Sequence, residues 1–394
     1  MLPPVPVLTL IDSVHFDGGA ERLAVELATR LDRTRYAPLL CVTRGERTDR
    51  EPAEEAAVAQ LREAGVPVLW LERGSRADLL VWRRFVATLR RRRVGVLHAH
   101  KFGSNVWGAV MGSLAGVPAV VSHEHTWAYD DRRRMLLDRH VVARGSDAVI
   151  AVSTEDRRRM IELEGMPAAR VRYIPNGIVT PAPGDGARVR AELGLADDVP
   201  LVGAIGTMRP QKAFEVLVDA AATLRERVPG VRVAIVGEGP EQERLAAQVE
   251  ALGLSDTVLL LGYRADVPDV LHALDVVVNC SDFEGQPLAI LEAMEAARPI
   301  VATRVGGTPD LLDDGVHALL VSPRDPAAVA EAVERLLADR GAARALGERA
   351  RARRRDEFDI ARTVARVEDL YAELLAAKGV GVGAGASASA RRAS

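Results

Sequence analysis

At 394 residues the chain is too long for one ordinary hydrophobic core, so two domains of somewhat under about 200 residues each are expected. An apolar share of 48% and a charged share of 27% are those of a globular protein, and a formal net charge of −3 gives no reason to expect nucleic acid as a partner. No apolar stretch approaches the roughly 20 residues that span a bilayer, and Cys41 and Cys280 are too far apart in sequence for a metal-ligand spacing or a disulfide framework, which fits a reducing, cytoplasmic compartment.

The N-terminal run MLPPVPVLTLID lacks a basic segment ahead of its short apolar stretch and reads as a first strand, not a signal peptide. Candidate strands follow at Val5–Ile11, Pro38–Thr43, Pro67–Leu71, Val94–His98, Ala119–Ser122, Ala148–Val152 and Val171–Ile174. Helical patterns such as Ala20–Leu31, Arg76–Arg92 and Gly103–Leu114 separate most of them. Strands that are apolar on both faces and joined by helices imply a parallel sheet covered on both sides. The Pro/Gly-rich stretch Thr180–Gly186 marks a linker. The pattern then restarts, with strands at Leu201–Thr207, Val231–Val236, Thr257–Leu261, Asp275–Cys280, Pro299–Thr303 and Ala318–Val321. Asp325–Asp339 and Asp359–Ala377 read as helices, and Gly379–Ser394 as a tail with little to bury.

The expected class is α/β, with two doubly wound Rossmann-like domains facing a central cleft. They cover residues 1–180 and 181–355. A C-terminal helical segment over 356–378 has the N-terminal domain as its candidate docking surface, and a disordered tail covers 379–394. In such sheets ligands bind beyond the carboxyl ends of the strands, so function should sit on the loops that follow them.

Three of those loops carry chemistry. In Asn279–Gly307 a strand ends, a glycine-containing turn follows, and Pro287 stands near the first helical position. A helix N-terminus built this way suits a phosphate. Glu284 before the helix and Glu292 within it are carboxylates that can each accept from adjacent hydroxyls of a sugar or ribose. In Gly203–Leu217 a strand runs out into Arg209 and Lys212, two cations on one short loop that can neutralise a diphosphate. Lysine occurs only at Lys101, Lys212 and Lys378, so Lys212 is kept where the sequence otherwise writes arginine. Gly18 and Gly19, between the first strand and helix, permit close backbone approach to a ligand. They do not form the G-x-G-x-x-G fingerprint of a nicotinamide enzyme. No Asp-x-Asp stands on a post-strand loop of the second half, so no metal site is evident, and no resident cofactor is called for.

Together these segments resemble the retaining glycosyltransferases of family four, with the GT-B fold. The resemblance rests on GGAERLAVELA near the start, YIPNGI at 173–178, GTMRPQKAFEVLVDA at 206–220, VGEGPEQERL at 236–245, EGQPLAILEAM at 284–294 and VATRVGGTPDLL at 301–312. It implies a donor nucleotide sugar, UDP-linked in preference to GDP-linked, whose diphosphate is gripped by Arg209 and Lys212. It further implies that Glu284 contacts the transferred sugar and that Glu292 holds the ribose. The amides around Gly285–Leu288, those of Gly285, Gln286 and Leu288 with Pro287 shaping the turn, would face the distal phosphate, with Gly19 approaching it from the other domain. Gly237, Gly239 and the Gly262–Arg264 turn would frame the nucleoside. In SHEHTW at 122–127 the resemblance favours His125 near the sugar, with His123 as its rival. Two positions depart from the family. Glu295-Ala-Ala-Arg-Pro299 replaces Ala-x-Gly-x-Pro, and Gln286 stands where an aromatic or aliphatic residue is common.

The expected activity is transfer of a hexose-type sugar to an acceptor that the sequence does not name, with retention and without a metal ion. A nucleotide-sugar epimerase and a non-catalytic sugar-binding protein are the alternatives. Arginine clusters at Arg83–Arg84, Arg90–Arg93, Arg132–Arg134 and Arg157–Arg159, with Trp82, Phe85 and Leu89 on one of the same helices, raise peripheral contact with an anionic membrane on its inner face.

Overall fold

In the computed structural model, residues 2–14, 18–45, 52–75, 78–125 and 131–383 are described. Part of the expected tail, 384–394, lies outside them, as do Arg76 and Trp127. The elements run β1 (Val5–Ile11), α1 (Gly19–Arg30), β2 (Tyr36–Val42), α2 (Pro52–Glu63), β3 (Val68–Trp70), α3 (Leu79–Arg91), β4 (Val96–His100), α4 (Lys101–Ala115), β5 (Ala119–Glu124) and α5 (Arg132–Leu137). A π-helical turn (Asp138–Val142) leads into α6 (Ala143–Gly145), β6 (Ala148–Ala151), α7 (Thr154–Glu162) and β7 (Val171–Tyr173). Next come α8 (Gly186–Glu192), β8 (Leu201–Ile205), a 3-10 turn (Pro210–Lys212), α9 (Phe214–Arg227), β9 (Arg232–Val236), α10 (Gln242–Ala251), β10 (Val258–Leu260) and α11 (Val267–Ala273). The chain closes with β11 (Val276–Asn279), α12 (Leu288–Glu295), β12 (Ile300–Thr303), α13 (Thr308–Leu311), β13 (Leu319–Val321), α14 (Pro326–Ala338), α15 (Arg340–Glu357) and α16 (Ile360–Ala377).

The chain divides into two compact units, Met1–Asn176 with Ile360–Ser394, and Gly177–Asp359. The first holds a seven-stranded sheet of order β3-β2-β1-β4-β5-β6-β7, and the second a six-stranded sheet of order β10-β9-β8-β11-β12-β13. Every strand pairing in both is parallel. Strand order reverses between β1 and β4 in one sheet and between β8 and β11 in the other. Those switch points are where a doubly wound sheet opens a crevice at its carboxyl edge.

The apolar strands follow from burial on two faces. In β11, Val276 and Val278 join one core cluster of the second unit while Val277 joins the other. Successive side chains of a strand point to opposite faces, so a run with no polar alternation is what a doubly covered sheet requires. Each such valine or leucine contributes about 1.5–3 kcal/mol on burial. Helix starts are set by local chemistry. Ser153 accepts from the Asp156 amide at 3.0 Å at the head of α7, and Asp325 accepts from the Ala328 amide at 2.9 Å ahead of Pro326 in α14.

The divisions between units fall at Asn176/Gly177 and Asp359/Ile360, so Thr180–Gly186 lies inside the second unit and does not link the two. Its glycines answer to packing. A Cβ on Gly184 would stand 2.1 Å from the Pro268 carbonyl oxygen, and one on Gly186 would stand 2.4 Å from the His272 carbonyl. Helix α16 belongs to the first unit. The Tyr36 hydroxyl donates to the Glu368 carbonyl at 3.0 Å, the Asp32 amide to the Glu368 carboxylate at 2.6 Å, and Thr363 to the Pro175 carbonyl at 3.0 Å.

The arginine-rich segments are less uniform than the sequence suggests. Trp82, Phe85 and Leu89 point into the core of the first unit, where Trp82 stacks on Trp107 with ring centroids 4.6 Å apart. The apolar stripe of α3 therefore packs on its sheet, while Arg83, Arg84 and Arg90–Arg93 stay exposed. Arg134 turns inward to Glu124 at 2.7 Å, and Arg158 and Arg159 pair with Glu155.

Candidate functional site

In the second unit the loops after β8 and β11, on either side of the switch point, meet at one carboxylate. Lys212 Nζ lies 2.6 Å from Glu284 Oε1, the Ser281 hydroxyl donates to the same oxygen at 2.7 Å, and Gln211 Nε2 donates to Oε2 at 3.3 Å. A carboxylate offers about four acceptor positions, so three of those on Glu284 are committed. Glu284 is 5% exposed. Lys212 keeps two further N–H donors beyond the one given to Glu284. Arg209, at the head of the 3-10 turn, is exposed and carries no ion pair among the described residues. The two cations thus differ, with Lys212 anchored and partly buried and Arg209 free to reorient.

The backbone around this group is tightly fixed. The Gln211 side-chain Nε2 also donates to the Phe283 carbonyl at 2.9 Å, and the Asp282 backbone amide donates to the Gln211 carbonyl at 2.9 Å. Gly306 passes so near that a Cβ there would lie 1.7 Å from the Glu284 carbonyl oxygen, with φ at 49°. Gly307 donates to the Gly285 carbonyl at 2.9 Å. Pro287 caps α12, which begins at Leu288, and Glu292 stands half-buried within that helix. Gln286 is buried beside the cap.

Gly237 and Gly239 are also pinned by backbone contact. A Cβ on Gly237 would lie 2.1 Å from the Gly206 carbonyl oxygen, and one on Gly239 would lie 2.4 Å from that of Met208. In the turn after β10, the Arg264 guanidinium is held by Glu192 at 2.5 Å and Asp266 at 2.7 Å, so it faces carboxylates of its own unit. The family's glycine in Ala-x-Gly-x-Pro is replaced by Ala297, which adopts φ 52°, a left-handed conformation that glycine takes without strain. Glu295, at the head of that motif, is buried against Arg354 at 3.0 Å and Arg355 at 2.5 Å.

In the first unit Gly18 caps α1 and Gly19 is its first residue, and neither takes a positive φ. No left-handed backbone therefore calls for glycine at either position. Beyond β1, Asp12 accepts from the Thr43 hydroxyl at 2.6 Å and Ser104 at 3.3 Å. Lys101, at φ 70°, pairs with the buried Glu21 at 2.6 Å. The sequence reading ends the fourth strand at His98. The ladder with β5 instead runs on through His100 opposite His123, which brings His98, His100, His123 and His125 into one group. His123 is fully buried, whereas His125 is half-buried at the strand end, with Nε2 3.0 Å from His100 Nδ1. Burial pushes His98 down to about 3 and holds His100, His123 and His125 well below the usual histidine range, reinforced by repulsion from charged forms of their neighbours. Four neutral imidazoles result. The sequence reading missed His98 and His100, although H-x-H occurs in both 98–100 and 123–125, because their alignment depends on strand register. It also missed Gln211, Ser281 and Gly306.

Two family models match the chain, "Glycosyltransferase Family 4" over residues 17–180 and "Glycosyl transferases group 1" over residues 199–339. A D-inositol 3-phosphate glycosyltransferase of Nocardia farcinica is 36% identical over 55% of this chain and 50% of its own length, so the chain spans about half of that relative. One of the same name from Salinispora arenicola is 31% identical over 72% of this chain and 70% of its own length. Among solved structures, Anabaena Alr3699/HepE in complex with UDP superposes with a TM-score of 0.80 at 25% identity, over 94% of this chain and 100% of that one. The same protein has also been solved with UDP-glucose.

Proposed function

The chain belongs to glycosyltransferase family 4, with the GT-B fold, and on that footing we propose that it transfers a hexose-type sugar from a UDP-sugar to an acceptor hydroxyl with retention of anomeric configuration. The observation that carries this reading is the convergence of Lys212, Glu284, Gln211 and Ser281 where the loops after β8 and β11 meet.

The hard step is departure of the sugar with its electrons left on the diphosphate. Lys212, held in place by Glu284, directs its remaining N–H donors at that developing charge, and Arg209 adds a bidentate fork. Because the chain itself supplies both cations, magnesium is not needed at the diphosphate. The amides at the head of α12 receive the distal phosphate. Glu292 accepts from the ribose hydroxyls. Glu284 has one acceptor position left for a sugar hydroxyl, so its larger service is to aim Lys212. Of the four clustered histidines of the first unit, His125 is the one accessible enough to meet the sugar or the acceptor. The departing phosphate oxygen takes the acceptor proton as the new bond forms on the face the leaving group vacates. A lipid-linked acceptor fits the exposed arginines of α3 and the exposed Leu79 and Leu80 at its head.

The deciding experiment incubates the protein with UDP-glucose, with and without an acceptor-containing extract. Release of UDP that depends on the extract, with label incorporated into a product, supports transfer. Acceptor-independent release of an altered free sugar would establish the epimerase instead, and binding of UDP-glucose without turnover would establish a sugar-binding protein.

A further inference from the structure

The histidines of the first unit form a closer group than sugar transfer requires. His98 and His100 stand two residues apart on β4 and so share one face of the sheet, and His123 on β5 is in register with His100. All three are fully buried. One ring nitrogen from each can be chosen so that the three atoms lie within 4.8 Å of one another. Ring centroids are 4.3 Å apart for His98 and His100, 5.0 Å for His100 and His123, and 5.3 Å for His98 and His123. Each of the first two is oriented from behind. His98 Nδ1 lies 2.6 Å from the Tyr371 hydroxyl, and His100 Nδ1 lies 3.0 Å from His125 Nε2. Nε2 of His98, Nε2 of His100 and both nitrogens of His123 have no hydrogen-bond partner. Buried polar atoms are rarely left so, and here four fall in one cluster.

We propose that His98, His100 and His123 bind one divalent transition metal of the zinc class, through Nε2 of the first two and a ring nitrogen of the third, with a fourth position open. The donor set selects the ion. Three imidazoles with no carboxylate among them suit zinc, cobalt, nickel or copper and give magnesium or calcium none of the oxygen ligands they need. Burial keeps the rings neutral, which is the ligating form. With Nδ1–H of His98 donating to Tyr371 and Nδ1–H of His100 donating to His125, both Nε2 lone pairs are free for the ion. Those are the outer contacts that fix metal-binding histidines elsewhere. Zinc–nitrogen bonds of about 2.0–2.1 Å need tetrahedral ligand atoms roughly 3.4 Å apart. The rings of His98 and His123, now 3° from parallel, would therefore splay and draw together as the ion enters. Its ligands belong to the first unit, whereas Arg209 and Lys212 belong to the second, and the proposal stands whether or not the transfer reading is right.

The test uses the full chain, stripped with chelator, reloaded with zinc or cobalt, passed through gel filtration and assayed for metal by mass spectrometry. About one equivalent should be retained, and cobalt should give the visible ligand-field bands of a low-symmetry nitrogen site. His100→Ala and His123→Ala should each abolish retention. Tyr371→Phe, which leaves all three ligands, should weaken zinc affinity by about 10–100-fold. Exchange of described histidines outside this group, as in His140→Gln and His317→Gln, should change nothing. Zinc should also raise the melting temperature of the wild-type chain and not that of the His100 variant, a readout that remains available if a variant folds poorly. Retention of well under half an equivalent by the wild-type chain, or undiminished retention by the His100 and His123 variants, would overturn the proposal.

Discussion

Replacing His98 by asparagine should remove a defined part of the acid sensitivity of the first unit. Burial pushes the folded-state value of His98 down to about 3, against about 6.5 for an exposed histidine. Below pH 6.5 the unfolded chain takes up a proton that the folded chain refuses, so unfolding is favoured. The stability is whole above about pH 6.5 and is lost progressively as the pH falls below it. Between pH 7.5 and 5.5 the difference grows by about one pKa unit, which is about 1.4 kcal/mol. Other groups titrate as well. Asp138 is pushed up to about 8 by burial and by Glu124, with Arg134 opposing, and so acts in the contrary direction. These contributions cancel when wild type and His98→Asn are compared at the same two pH values. Trp70, Trp82, Trp107 and Trp127 all fall in the sequence of the first unit, so tryptophan fluorescence follows that unit alone. Urea unfolding with chelator present should show the wild-type chain losing about 1.4 kcal/mol more than the variant on acidification. A difference below about 0.5 kcal/mol would refute a neutral, buried His98.

Arg209→Ala and Lys212→Ala should each lower turnover about 100-fold or more with no magnesium or manganese added, since contacts to developing negative charge are worth about 3–4 kcal/mol; near-normal rates in both would end the assigned role. Glu284→Gln should reduce kcat with little change in UDP affinity, whereas Glu292→Gln should weaken UDP binding by calorimetry, because the ribose contact survives loss of the sugar. Ala297→Gly should stabilise the second unit by up to about 1 kcal/mol in urea unfolding, by relieving a left-handed alanine; unchanged or reduced stability would count against strain there. Sedimentation with anionic vesicles at low salt should capture the protein through Arg83, Arg84 and Arg90–Arg93, each contributing about 1 kcal/mol near the surface, and high salt or glutamine at Arg90–Arg93 should release it; no capture at low salt would point to a soluble acceptor.

What the sequence decided by itself was local. Unbroken apolar runs such as β11 announce a doubly covered parallel sheet, because burial on both faces removes the polar alternation. The strand–turn–helix openings around Arg209 and Glu284 could be read directly, since glycine, proline and charge at fixed short spacing have local causes. Pairing across the sheet was not legible. Lys212 and Glu284 are distant in sequence and meet only because β8 and β11 are hydrogen-bonded neighbours at the switch point. The same holds for the histidines. H-x-H is visible twice, but register alone sets His100 opposite His123, and α16, from the far end of the chain, delivers Tyr371 to His98. The direction of Trp82 was undecidable for a related reason: an arginine-rich helix with one apolar stripe can present that stripe to a membrane or to its own sheet, and only the packing against Trp107 chose the sheet.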